Sequence, residues 1–438
     1  MSFSAILFLT GFVVGCVLAL VRNPVYGLLT YIATLYMDPT GQWWGKDTLP
    51  HLRWEVIPAV VTLIAMLMHR RQMPSPVFKS GAFWGFVVFV AWLIIQLGWT
   101  LDPDSQSQLI WIWSKFLLVS IMICGCVDSW KNLRLVLWVH VIGCAYMGWV
   151  AYGLYHGGRF EGFGLSSIGE ANVAALQLTT GLLVAASLFL EGSWRVKAAL
   201  FVPIGLIVDG IIMTGSRSGF LAIMAAGVAF FMCTPARFKR RVAILSLLAA
   251  IGFIALTTAS YWDRMHTIQY AGSQIEGVDT GGARMALFEA QWRMFTHHPF
   301  GCGHQCTELL SPEFLPPEDL ALGLGKRASH NTFMSMLVDH GIPGVALYLA
   351  LLAWTAAKLK SIGRQIRDSS DFAATAFPAF VAVMVAITVA DLFAQLPRLE
   401  VRVWFVSLII AYAQLVGNAA PAPQRTETAG KALEPQAA

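Results

Sequence analysis

Charge is scarce in this sequence. Only 13% of its 438 residues are Asp, Glu, Lys or Arg, against 57% hydrophobic, whereas an ordinary soluble domain carries roughly 25% charged residues. A single soluble core is therefore excluded. Also missing are a glycine-rich nucleotide loop after a strand and a paired acidic metal motif in an external loop, which fits a nucleotide-free, metal-independent reaction. Cysteine is scarce, at seven residues, and Cys16, Cys124, Cys126, Cys144 and Cys233 fall in or beside apolar blocks as small buried hydrophobes. The first block, from Ser4 to Val21, lacks a basic leader and a small-residue cleavage site, so it is expected to stay in the membrane. A net charge of +5 does not point to nucleic acid, because the basic residues sit in short loops beside apolar blocks.

What is abundant is apolar sequence in blocks long enough to cross about 30 Å of hydrocarbon. Spans are predicted near 4–21, 54–69, 82–99, 108–127, 133–156, 171–190, 196–213, 217–233, 242–260, 332–356, 373–394 and 401–416: an all-α membrane bundle of about 12 helices. Pro24 to Met37 is short for a span and reads as a re-entrant or interfacial segment. The chain divides into 1–260 with nine spans and that segment, a long loop at 261–331, the last spans at 332–416, and a disordered cytoplasmic tail at 417–438. Basic residues at Arg70/Arg71/Lys79, Lys131/Arg134, Arg195/Lys197, Arg237 to Arg241 and Lys358 to Arg367 alternate along one side. The positive-inside rule makes that side cytoplasmic and the 261–331 loop periplasmic in the inner membrane. In that loop Met285, Phe288, Trp292 and Phe295 form the apolar stripe of an amphipathic helix at about 283–298, with Arg284, Glu289, Gln291 and Arg293 opposite. The stripe is expected on the membrane or on the bundle.

Three positions on the external side could carry chemistry. In Gly215-Ser216-Arg217-Ser218-Gly219 an arginine stands between two apolar blocks, either as an interfacial residue or as a clamp on a phosphate that approaches backbone N–H groups past Ser216, Ser218 and the glycines. Arg284 opens the amphipathic helix after two glycines; a cation there opposes the helix dipole unless an anion binds at the same place. In Ser329-His330-Asn331 the imidazole stands at the rim of an apolar run and has the right pKa range for a general base. Arg159, and Asp391 near the external end of its helix, could support the site, although a solvated loop and a structural ion pair are the alternatives. Asp339-His340, about ten residues into its helix and roughly 15 Å below His330, is expected to be too deep to share a site with it. Cys302-Gly-His304-Gln-Cys306 offers three ligands without a second pair, and reads as a local disulfide or two free thiols rather than zinc.

Taken together, Gly-Ser-Arg-Ser-Gly at a helix junction, Gly-Gly-Ala-Arg284 opening a helix, His298-Pro-Phe-Gly301-Cys-Gly303 and His330-Asn331 running into Gly341 and Gly344 resemble the bacterial O-antigen ligase and polymerase superfamily, most closely an O-antigen ligase. The resemblance implies a GT-C-like bundle with a periplasmic cavity, and a metal-independent, inverting transfer of a glycan from undecaprenyl pyrophosphate to a hydroxyl of lipid A–core oligosaccharide. It requires no cofactor. Arg217 and Arg284 would hold the pyrophosphate, His330 would be the base, and Ser216, Ser218, Arg159, Asp391 and Asn331 would support them. Met37-Asp38-Pro39 with Trp43-Trp44-Gly45 also resembles a subgroup of O-glycosylation ligases, which leaves a polymerase or a protein O-glycosylation ligase as the alternative reading. A transporter of lipid-linked glycans is more distant.

Overall fold

The computed structural model describes residues 2–69, 76–163, 168–266, 282–317, 320, 325–367 and 371–419. Arg70, Arg71 and the tail from 420 onward lie outside them. Regular structure among the described residues is helical throughout: α1 Phe3–Val21, α2 Val25–Tyr36, α3 Val56–Met68, α4 Gly81–Gln96, α5 Pro103–Cys126, α6 Trp130–Leu154, α7 Ala171–Glu191, α8 Trp194–Thr214, α9 Arg217–Cys233, α10 Ala236–Leu256, α11 Ala259–His266, α12 Gly282–His297, α13 Cys306–Phe314, α14 Thr332–Gln365, α15 Phe372–Asp391 and α16 Glu400–Ala419, with a 3-10 turn at Val77–Lys79 before α4. Eight of these, α1, α5, α6, α7, α8, α14, α15 and α16, are long and apolar enough to cross a membrane; α2, α3, α4 and α9 are shorter apolar helices. The expected all-α membrane fold is the fold of the chain.

Burial sorts the helices into layers. In α7, α15 and α16 most residues are buried, and the many Ala, Gly, Ser and Thr residues of α7 and α15 let neighbouring backbones approach where lipid supplies no hydrophobic drive for helix association. Gly148 of α6 shows the need: a Cβ there would collide with the carbonyl of Leu206 on α8. By contrast α10 exposes Ile244, Leu247, Leu248, Ile251 and Ile254, a surface suited only to lipid. The span expected at 242–260 thus falls on a peripheral helix whose opening residues are basic. The segment from Pro24 to Met37 is helix α2, 12 residues long, packed against α1, α3 and α6.

Hydrogen bonds tie one set of connections together at one end of the bundle. Gln42 donates to the carbonyl of Phe163 (3.0 Å) and Trp44 to Tyr146 Oη (2.8 Å). Phe160 N donates to Met213 O (3.0 Å) and Leu101 N to Cys302 O (2.9 Å). Thr332 Oγ1 donates to Ala394 O (2.7 Å). The N-terminus of α9, the 298–306 connection and the N-terminus of α14 therefore belong to one polar end. At the opposite end Arg134 pairs with Glu191 and lies over the Phe372 ring.

Helix α12 corrects one expectation about its faces. Leu287, Ala290, Gln291 and Met294 are its buried side, packed on α13 and α14, whereas Met285, Phe288 and Trp292 are exposed. Gln291, assigned from periodicity to the polar face, lies inside and donates to Ser329 Oγ at 2.7 Å. A helix lodged between bundle and bilayer has an apolar side toward each, so one stripe cannot tell which is which.

Candidate functional site

The Gly-Ser-Arg-Ser-Gly stretch is the turn from α8 into α9. Gly215 adopts a left-handed conformation (φ 52°) that ends α8, and Ser216 is the N-cap of α9. Ser216 Oγ accepts from Gly219 N (3.0 Å), donates to Asn172 Oδ1 (2.7 Å) and lies 3.1 Å from Ser218 Oγ. Arg217, half-buried, is the first helical residue. The glycines thus have local duties: a Cβ on Gly219 would stand 2.6 Å from that of Ala175 on α7, and the Gly219 N–H is already capped. Arg159 joins the group, donating to Asn172 Oδ1 (3.1 Å) and lying 3.4 Å from Glu161. Asn172 is the link that sequence reading missed; one oxygen holds both the Ser216 cap and Arg159.

His330 is exposed, directly before α14. Its two neighbours are fixed. Ser329 Oγ accepts from Gln291 of α12 and donates to Asn331 O (2.9 Å). Asn331 caps α14 by accepting from Met334 N (3.0 Å), and its Nδ2 donates to Leu392 O (3.2 Å). The histidine is presented by a short segment bolted to α12 on one side and to the α15–α16 connection on the other. Arg284 lies in the first turn of α12; its side chain is outside the described residues. Asp391 is fully buried and pairs with Arg402 (2.5 Å) while accepting from Tyr348 Oη. It orients an arginine, but that arginine is Arg402.

Arg217 opens α9 and His330 stands just before α14, and α15 touches both regions. That helix packs along α9, and residues just past its end hold Asn331 and Thr332. The stretch from 202 to 349, which contains Arg217, Arg284 and His330, matches the family model described as O-antigen ligase. The chain carries an O-antigen ligase domain. This family is one of glycan ligases and polymerases. No curated protein matches the chain.

Within the segment that matches the O-antigen ligase model, Asp339-His340 lies apart from the exposed His330, and a different histidine comes to it. The pair does lie down the helix, but the loop comes to it. Helix α14 breaks at Gly341 (φ 67°, ψ −165°), two residues before Pro343, and residues 299–303 fold into the break: Cys302 N donates to Val338 O (3.4 Å), Gly303 N to Asp339 O (2.9 Å) and Ile342 N to Pro299 O (3.0 Å). A kink frees backbone groups that must be satisfied at membrane depth, and this loop satisfies them. Gly301, at φ 76°, leaves no room for a Cβ, which would come 2.5 Å from Asp339 O. Cys302 and Cys306 are joined in a disulfide that closes the loop.

The loop delivers His304 to a buried polar cluster with Asp339 and His340, their ligand atoms within 4.8 Å of one another. Gln96 Nε2 donates to Phe300 O and Asp339 O (3.1 Å each), and its Oε1 lies 2.8 Å from His340 Nδ1. That partner assigns the proton to Nδ1 and leaves a lone pair on His340 Nε2. Arg398 donates to His304 Nε2, which assigns the His304 proton to Nδ1, 3.9 Å from Asp339 Oδ2. Burial, followed by the Arg398 guanidinium and His340, pushes the His304 pKa down to about 2. The three groups have donor types that suit a metal ion, but a guanidinium against His304 opposes a second cation there. One N–H, one lone pair and one carboxylate converging are what a single water satisfies. At the loop's outer edge Asp102 is held below the usual carboxylate range, first by the Ser105 backbone N–H and hydroxyl. Arg398 and Arg402 escaped the sequence reading, although an arginine inside the last apolar block was itself a signal.

Beside the Arg217 turn, a crevice opens between α2, α7 and α16. It is lined by Tyr36, Val173, Gln177, Glu400 and Trp404. Val173 follows Asn172, so the crevice begins one residue from the linked Ser216 and Arg159 side chains.

Proposed function

We propose that the protein is an O-antigen ligase that transfers a glycan from undecaprenyl pyrophosphate to a hydroxyl of lipid A–core oligosaccharide, with inversion, on the periplasmic side of the inner membrane. The observation that carries this reading is the built turn at Arg217, inside the segment that matches the ligase family. Arg217 in the first turn and the positive end of α9 put cationic character at a helix N-terminus that Ser216 caps, which favours a bound phosphate. Breaking the anomeric C–O bond leaves negative charge on the pyrophosphate. Arg217 and Arg284 stabilise that charge through charge-assisted hydrogen bonds. His330, exposed on a segment anchored at both ends, takes the proton of the attacking hydroxyl, a role worth about 10²–10⁴-fold in rate. In-line attack opposite the departing pyrophosphate inverts the anomeric centre. The polyprenyl tail stays in the bilayer while its head reaches the polar end of the bundle.

The acceptor is tested by supplying one synthetic undecaprenyl-pyrophosphate glycan to purified protein with lipid A–core, a second lipid-linked glycan, or an acceptor protein. Product on lipid A–core alone supports the ligase. Product only on lipid-linked glycan or on protein moves the assignment to a polymerase or a protein O-glycosylation ligase.

A further inference from the structure

We propose that the end of the bundle opposite Arg217 and His330 contains a binding pocket for a phosphate ester, which is filled by the headgroup phosphate of an anionic phospholipid. A cavity of about 250 Å³ lies where the 3-10 turn and the start of α4 meet the second half of α14 and the end of α16. Among the described residues Lys79, Ser80, Gly81, Trp354, Lys358 and Gln414 line it, and no carboxylate does. Among the described residues neither lysine is ion-paired with an acidic side chain. Two ammonium groups in an acid-free cavity favour an anion.

A second observation is independent of the lysines. Ser80 is the N-cap of the 16-residue helix α4, yet its side chain makes no capping bond. It is 7% exposed, and its Oγ has no hydrogen-bond partner. A serine at this position ordinarily accepts from the N–H groups of the first turn, and a buried hydroxyl without a partner costs stability. A phosphate oxygen resolves both: it accepts from the hydroxyl and from first-turn N–H groups of α4, at the positive end of the helix. Trp354 packs against this turn, its indole 3.3 Å from where a Gly81 Cβ would be, and the Lys358 ammonium sits 5.8 Å from the Trp354 ring centre.

The remaining walls, Pro76, Ile410 and Ala413, are apolar. A charged floor with apolar walls at the end of three membrane helices fits a headgroup whose acyl chains continue along the bundle. The volume is below the roughly 300–1,000 Å³ of pockets that enclose a drug-sized ligand, which suits a headgroup and not a whole lipid. Basic pockets between transmembrane helices recognise phospholipid headgroups through this chemistry.

The experiment uses the full chain, delipidated in neutral detergent, with thermal stability and native mass spectrometry as readouts. Short-chain phosphatidylglycerol, phosphatidylcholine of the same chain length, and inorganic phosphate are titrated separately. Phosphatidylglycerol is expected to bind and raise the melting temperature at concentrations at least tenfold below phosphatidylcholine. Lys79→Gln with Lys358→Gln, both solvent-reachable and outside the packed core, is expected to weaken phosphatidylglycerol binding at least tenfold, and Ser80→Ala severalfold. Inorganic phosphate matching the phosphatidylglycerol shift would support the pocket and assign it to a soluble phosphate. Equal binding of the two lipids by wild type, or unchanged phosphatidylglycerol binding by the folded double variant, overturns the proposal. Should the double variant melt early, Lys358→Gln alone decides the question by the same comparison.

Discussion

Removing Asp391 separates a structural from a chemical role for a fully buried carboxylate near the site. Asp391 and Arg402 are 0% and 2% exposed and pair at 2.5 Å, with Tyr348 Oη donating to the same carboxylate. The Arg402 guanidinium lies 5.1 Å from the Tyr348 ring centre. Eliminating one member of a buried pair strands the other charge and costs about 3–5 kcal/mol, a large part of the roughly 5–15 kcal/mol that holds a domain together. Asp391→Leu alone should therefore lower the melting temperature steeply and abolish transfer. Arg402→Met added to it removes the stranded charge, and Tyr348→Phe removes a hydroxyl left without its acceptor, itself worth about 1–3 kcal/mol. The triple variant should recover most of the lost stability, because an apolar replacement of a buried pair is often neutral or better. Thermal unfolding in detergent and transfer activity are read on the same samples. If Asp391 acts only through its pairing with Arg402 and Tyr348, activity should return together with stability. A triple variant as stable as wild type but inactive would refute that reasoning and place the carboxylate in the chemistry.

Three further expectations follow from the same geometry. Burial holds the His304 pKa well below the roughly 6.5 of an unfolded histidine; the unfolded state binds the extra proton, so this contribution to the loop's stability is complete above about pH 6.5 and is lost progressively as pH falls below it. Hydrogen exchange over 298–307, corrected for intrinsic rate, should show that loss in wild type and not in His304→Gln. Gly219→Ala places a Cβ 2.6 Å from that of Ala175 and should cost about 1–3 kcal/mol of overpacking, with the loss relieved by Ala175→Gly; a fully stable single variant contradicts the close approach of α7 and α9. Replacing Cys302 and Cys306 with serine opens a ring between residues only four apart, so the melting temperature should fall modestly, by about 2 kcal/mol or less in the chain-entropy account, while a complete loss of folding would mean the loop depends on the bridge.

The apolar blocks made the fold legible, because lipid leaves a chain few ways to satisfy its backbone. Arg217, Arg284, His330, Ser216 and Asn331 stand out in the sequence as polar residues at the margins of those blocks, and the sequence alone does not say which of them act on substrate. What these residues do locally was less legible. The glycines around Arg217 invite a phosphate-cradle reading, yet Gly215 ends a helix and Gly219 makes room for Ala175. Gln291 misled because α12 is apolar toward both bundle and lipid. The approach of Gly301 to Gly341, and with it the meeting of His304, Asp339 and Arg398, depends on the kink in α14, where two segments about forty residues apart share one turn of backbone. No local pattern encodes that pairing. Arg402 with Asp391 is the opposite case: two opposite charges set in the last two apolar blocks are by themselves the signature of an ion pair, since neither is tolerated in hydrocarbon alone.

Transfer by wild type, Arg217→Ala and His330→Ala, each inserted in membranes to the same level, is the most direct test of the central claim. With undecaprenyl-pyrophosphate glycan and lipid A–core supplied, wild type should form product. His330→Ala should lose at least about 10²-fold in kcat while still binding donor, and Arg217→Ala should lose donor binding as well as turnover. Full activity in either variant would contradict the account.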